Sequence, residues 1–467
     1  MKNKDIYDSL NEDKSLKRPS IMAVIPRNND YPFSQERLIN DLKHNTEFTI
    51  KSINYIQAEE AGFKTYRSFN YDVVLGYKGL DYVISIYAMP TGQIDLSTFS
   101  MANTIDDKSL VIAEKQSFMF ETLLYFNEDP MTSFHFQLKV LHTILPEASL
   151  VHDYSSFKLL SPYWLKMSAE SHIPPSPSYL YTTHAIYNEL EDGKIEYWMH
   201  THGLNRCGSI ELEILNIHSN PKQMYDLLNN TANMFIMDHK KEKEIFVVGY
   251  DGLGIFLSWV RWEKALKNLP ENILGGLNDR KLDNEKDYNA HTEPSGILYA
   301  VEDGNYISPE IYASTLANNP LLFVKSEETE RMSLLAIERF DFFKDAFEQF
   351  ERTKKKKQSL LGKIFGKKNR EEDDWQFLVK LGLVVDEAED EEDKEHLWFE
   401  VIEIDNDKIT VQLLNQPYWI KDLNEKDIKT YPTHELLTDW VIYSPEYTYT
   451  PDSIYALKYK YHLQGKE

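Results

Sequence analysis

The chain has 467 residues, with 75 Asp and Glu against 51 Lys and Arg, a formal charge of −24 and one cysteine. That length supports two to four domains with sizeable cores, and the acidic balance argues against nucleic acid as a partner, because phosphate contacts need Lys and Arg. A lone cysteine excludes an internal disulfide and suits a reducing, cytoplasmic compartment, and no apolar run approaches the roughly 20 residues of a membrane helix.

Residues 1–20 are polar, lack the apolar core of a secretion signal and are expected to form a flexible tail. Ile21–Pro26 is a short apolar strand, Phe33–His44 has helical spacing at Leu38, Ile39 and Leu42, and Phe48–Ile56 alternates as a strand. Asn70–Tyr77 and Tyr82–Tyr87 are two further strands across a turn at Gly79. These elements predict a small α+β subdomain over 21–150 with a split βαβ topology. Two apolar helices complete it: one over Ser109–Phe126, the other after Ser133 through Leu138, Leu141 and Ile144, stopped by Pro146.

A proline-rich stretch, 173–178, leads into the most chemically loaded part of the next domain, 151–351. Asp192-Gly193 predicts a two-residue hairpin turn. The following run alternates, so Glu196, Trp198, His200 and His202 share a face and the two imidazoles stand side by side. A strand offers two nitrogens to one metal ion at this spacing. The next run, Ser209–Ile217, carries Glu211 and Glu213 on the side opposite Ile210, Leu212 and Ile214. If His200 pairs with Glu211, carboxylates flank the imidazoles; a one-residue slip sends them to the other face. The candidate ligands are therefore His200, His202, Glu211 and Glu213, with Cys207 or His184 as a further donor and zinc as the metal. The plainer reading, preferred on sequence, is a half-buried sheet with hydrogen-bonded histidines and no cofactor. Cys207 lacks a nucleophile signature and reads as a small buried thiol.

Beyond it, Pro221 behind Asn220 starts a helix, and Glu244–Gly249 and Gly254–Trp262 are strands around a turn at 250–253. Their glycines match neither a dinucleotide fingerprint nor a P-loop. Gly275–Gly304 is polar and expected to be irregular, and Glu327–Arg352 is helical with an aromatic stripe read as core. Residues 352–374 turn strongly basic and then acidic. They are expected to be an interdomain linker, or a short amphipathic helix that docks on an anionic membrane through Lys363 and Phe365. The last segment, 375–467, predicts a separate α+β module with strands at Leu397–Ile404 and Lys408–Leu414. Its Trp398, Trp419 and Trp440 are either core or a recognition face. The whole is a multi-domain α+β chain of mostly antiparallel sheets.

Glu395-His396-Leu397-Trp398, Leu414-Asn415-Gln416-Pro417 and Thr438-Asp439-Trp440 resemble a bacterial domain of unknown function, DUF2314. Tyr197-Trp198-Met199-His200-Thr201-His202-Gly203-Leu204 and Gly208-Ser209-Ile210-Glu211-Leu212-Glu213 resemble a family found chiefly in Gram-positive bacteria, DUF4026. The resemblance implies a two-part cytosolic bacterial protein and brings no activity with it. The leading functional expectation is a non-catalytic interaction protein, immunity-like, whose acidic surface meets a basic protein partner. A metal-dependent hydrolase on His200 and His202 with Glu211 or Glu213 is the alternative, and a peripheral membrane adaptor working through the basic linker is a third.

Overall fold

The computed structural model describes residues 7, 18–31, 34–56, 70–91, 99–238, 240–249, 254–281, 289–318, 326–361, 375–388, 390, 393–433 and 435–461. The chain forms two compact units, Met1–Ala169 with Pro174–Phe323 and Glu170–Ile173 with Val324–Glu467.

The first unit holds two sheets. The strands of the first are β1 (Ser20–Pro26), β2 (Thr49–Tyr55), β3 (Asn70–Tyr77), β4 (Leu80–Pro90), β5 (Ser100–Met101), β6 (Phe118–Leu124), β7 (Ala148–Asp153) and β8 (Lys158–Leu160). Their order is β2-β3-β4-β6-β1-β7-β8-β5. Every neighbour pair is antiparallel except β5 with β8. β1 and β2 therefore run parallel with three strands between them, joined by helix α1 (Gln35–His44). This is a split β-α-β crossover of wide gap. α1 starts where the Ser34 hydroxyl accepts the Arg37 N–H, and it buries Leu38 and Leu42.

The helix expected over 109–126 is instead a short helix α2 (Asp107–Ala113) followed by β6. β6 reads FMFETLL and all but one of its residues are buried, so both faces are covered and the period-2 signal that marks a strand is erased. α3 (Pro130–Ile144) forms as expected, with the Asp129 carboxylate capping the N–H groups of Met131 and Thr132. β7 spans residues 148–153, so this sheet runs past residue 150. α4 (Pro162–Glu170) ends it. Within the segment expected to be a loose tail, Tyr7 is fully buried. Its hydroxyl lies 2.9 Å from the Glu263 carboxylate and accepts the Ser295 N–H.

The second sheet comprises β9 (Thr182–Glu189), β10 (Ile195–His202), β11 (Glu211–Ile217), β12 (Phe246–Val248), β13 (Ile255–Arg261), β14 (Ser295–Glu302) and β15 (Asn305–Ile307). The order is β12-β13-β14-β11-β10-β9, with β15 on β14. Helices α5 (Pro221–Met237), α6 (Trp262–Ala265) and α7 (Ala313–Asn318) accompany it. β14 lies inside the stretch expected to be irregular; it pairs parallel with β11 and antiparallel with β13. The turn expected at 250–253 lies outside the described residues.

The second unit carries the third sheet: β16 (Gln376–Val384), β17 (Lys394–Asp405), β18 (Lys408–Leu413), β19 (Ile428–Pro432), β20 (Leu437–Tyr443) and β21 (Thr448–Tyr449). Its order is β19-β18-β17-β16-β20-β21, antiparallel throughout. Helices α8 (Ser326–Glu338), α9 (Phe340–Leu361) and α10 (Ile454–Tyr461) belong to the same unit. The aromatic stripe of α9 is core: Phe343 meets Phe377 and Trp440, and Phe350 meets Trp375. Trp440 is fully buried and donates its indole N–H to the Ala336 carbonyl, which removes it from any recognition face. Helix α9 runs past the expected linker boundary at 352; Lys363 and Phe365 lie outside the described residues. Among the described residues no helix is long and apolar enough to cross a membrane.

Candidate metal centre

β9 and β10 pair antiparallel with His184 opposite His200 and Thr182 opposite His202. Directly opposed residues point to the same face, so the hairpin register adds His184 to the two imidazoles that alternation already placed together. The connection is wider than a two-residue turn: Glu189 pairs with Ile195, and the Leu190 N–H donates to the Lys194 carbonyl. One nitrogen from each of His184, His200 and His202 lies within 4.8 Å of the other two. Zinc–nitrogen bonds of about 2.0–2.1 Å set tetrahedral ligand nitrogens about 3.4 Å apart, so the triad would have to draw in by about an ångström to hold an ion. Nε2 of His184 and Nδ1 of His200 are buried and have no hydrogen-bond partner.

A fourth imidazole comes from the short 3-10 turn Ala290–Thr292: Nε2 of His291 lies 3.3 Å from Nε2 of His200. No local pattern in the sequence pointed to it. The rings pack closely, tilted or edge-on, with Trp198 4.3 Å and His291 4.7 Å from the His200 centroid, and Phe157 4.8 Å from that of His202. Burial holds all four histidines below their ordinary range, His202 at about 3 and His200 well below normal, and the neighbouring imidazoles push both further down. They are neutral at physiological pH, the form that ligates metal.

The register between β10 and β11 sets His200 opposite Glu213. Both carboxylates thus keep the parity that places them on the imidazole side, yet neither joins the converging nitrogens. Glu213 accepts from the Trp198 indole at 2.8 Å, from Arg280 at 2.6 Å and from the Ser295 hydroxyl. Glu211 accepts from the Thr201 hydroxyl at 2.7 Å and from the backbone N–H groups of Gly203 and Asn205. Burial pushes the Glu211 carboxyl up to about 7 despite those three donors. Gly203 makes this turn possible: it sits at φ +114°, and a Cβ there would lie 2.5 Å from the Leu180 carbonyl. Cys207 is buried in the turn Leu204–Cys207 and takes no part in the histidine cluster.

His200, His202, Glu211, Glu213 and His291 line a cavity of about 10 Å³, the room of one water or ion. His202 and Glu211 also line an adjoining cleft of about 220 Å³ bounded by Arg18, Tyr154, Phe157 and Glu293. His202 thus joins the histidine cluster to an open cleft.

The chain matches the N-terminal part of a protein family of unknown function, DUF4026, over residues 20–175 and its C-terminal part over 183–299. The chain belongs to the DUF4026 family. Residues 345–465 match DUF2314, described as an uncharacterized protein conserved in bacteria, and cover the third sheet. The first sheet lies within the N-terminal match, the C-terminal match covers most of the second, and the histidine cluster lies in that C-terminal part. Neither a curated protein nor a solved structure matches the chain.

In the DUF2314 module, Trp419 is 69% and Tyr418 87% exposed, and both backbone N–H groups are held by the Glu395 carboxylate. Trp398 is half-buried on the sheet, with the Lys380 ammonium 5.8 Å from its ring centroid.

Proposed function

We propose that the DUF4026 part binds a divalent transition metal, zinc by the character of its donors, on His184, His200 and His202, and hydrolyses a substrate lying in the adjoining cleft. The observation that carries this reading is the convergence of three imidazoles from paired strands, two of them with buried, unpartnered nitrogens. An interaction protein has no need of such a cluster, and desolvating polar nitrogens without partners is costly. The metal would supply Lewis acidity and lower the pKa of a water. Glu211, whose carboxyl burial raises to about 7, would take the proton, and Arg18 and Asn205, both now engaged by the Glu293 carboxylate, would turn to substrate oxygens. Glu213 serves as an anchor for Trp198, Arg280 and Ser295, and His291 as a fourth donor or as a gate on the open position.

Chelator-stripped protein titrated with cobalt(II) is expected to bind one equivalent with the visible absorption of a low-coordinate site. His200→Ala and His202→Ala are each expected to lower affinity by more than the roughly 10–100-fold that changes outside the ligand shell cost. Failure of the unsubstituted protein to retain cobalt, or affinity unchanged from the parent in both variants, overturns the reading.

A second reading, contact with a basic protein partner, is supported by the exposed Tyr418–Trp419 pair that Glu395 holds in place and by the net charge. A partner held by the parent protein and lost with Trp419→Ala supports it; the same proteins retained by both removes it.

A further inference from the structure

We infer that a second cleft, walled by β8, the start of β9 and one face of α5, binds a small organic anion with a carboxylate or phosphate head on a hydroxyl-bearing body. The cleft measures about 480 Å³, within the range of small-molecule sites. It forms where the two parts of DUF4026 meet, a common place for such sites. Although the chain carries 75 Asp and Glu, no carboxylate lines it.

The amide oxygens of Asn229 and Asn233 on its wall are already engaged, which leaves donors to meet a ligand. Lys158 is 2% exposed; its ammonium donates to the carbonyls of Tyr181 at 2.5 Å and Ser178 at 3.2 Å. An ammonium has three N–H groups, so one is left. Tyr225, Asn229 and Asn233 are spaced by four along α5 and share a face. The Asn229 amide oxygen accepts from Thr183 and the Asn233 amide oxygen from Tyr181. The Asn233 amide N–H groups and the last Lys158 N–H are then available to a ligand rich in acceptors. The single buried ammonium selects for negative charge. Desolvation moves Lys158 down to about 7, with the Asp153 carboxylate pulling it up, the Arg206 guanidinium pushing it down and His184 the neutral imidazole within its field, so a bound anion restores its charge and binding takes up a proton.

A lysine that merely pegs two carbonyls in place predicts none of this. The test is calorimetric titration of the full chain, stripped of metal, with ribose 5-phosphate, gluconate and neutral ribose at equal ionic strength. At slightly alkaline pH, two buffers of different ionisation heat are compared. At least one of the two anions is expected to bind, at least about tenfold more tightly than ribose, with a buffer-dependent heat that reports proton uptake; the better of the two identifies the head group. Lys158→Met is expected to abolish the buffer dependence and weaken binding at least about tenfold, and Asn233→Leu to weaken it severalfold. Absence of heat with both anions at millimolar concentration overturns the inference, as does equal binding of ribose or unchanged binding in a folded Lys158→Met. If Lys158→Met does not fold, Asn233→Leu and the neutral-sugar comparison decide. Neither readout depends on metal, so this result and that of the cobalt titration stand apart.

Discussion

Arg206 is fully buried in the turn after β10, and it joins the two sheets of the first unit. Its guanidinium forks onto Asp153 at the end of β7, at 3.0 and 2.9 Å, and donates to Ser20 and the Leu180 carbonyl. Nothing in Leu204–Cys207 announces that role, because an arginine in a turn is ordinarily solvated and its partner lies 53 residues away. Removing one member of a buried, hydrogen-bonded pair leaves a charge without compensation, at about 3–5 kcal/mol. Arg206→Met is therefore expected to lower the urea-unfolding free energy of the first unit by that amount. Adding Asp153→Leu to it should recover much of the loss; no recovery would show that the guanidinium acts through its carbonyl contacts instead. The histidines show the same division at this scale. His200 and His202 follow from alternation, His184 needed the β9–β10 register, and His291, 91 residues from His200, needed the whole sheet.

At the scale of elements, the expectations that failed are those in which burial on both faces removes the pattern. β6 and β14 are interior strands whose apolar runs carry no period. β14 also sets Ser295 beside Glu211 through a parallel pairing that no adjacent hairpin dictates. The segment leading into it, with His291, is tied down by Arg280. This residue lies between the Trp198 and Trp262 rings and donates to Glu213, to the His291 carbonyl at 2.5 Å and to the Gly275 carbonyl. A lysine cannot reproduce that fork. Arg280→Lys is expected to speed amide hydrogen exchange around Ala290–Thr292 while leaving β10 protected. Exchange unchanged from the parent would mean that the segment is held by other contacts.

At the scale of the molecule, each unit has its own sheet core, which predicts two unfolding transitions in calorimetry. Asp439 tests the assignment of one of them. Burial raises its carboxyl to about 6, above the ordinary aspartate range. A raised acid binds its proton more tightly in the folded state, so this contribution is whole below about pH 4 and is lost as pH climbs through about 6. Asp439→Asn is expected to flatten that decline and to stabilise the second unit at neutral pH by about 1–3 kcal/mol. The transition of the first unit should stay in place. Movement of both transitions together would show that the two units unfold as one.

Short-range chemistry in the chain was enough to establish the capped amphipathic helices, the alternating hairpin strands, the aromatic core of α9 and the placing of two imidazoles side by side. Each of these depends on neighbours within a turn or a strand. The tertiary structure alone decided which edges paired, and through them the third and fourth histidines, the buried Arg206–Asp153 pair and the donor-lined cleft over Lys158. A strand's own residues specify which way its side chains point but not which distant strand lies beside it, because that choice is made by the burial of the whole sheet.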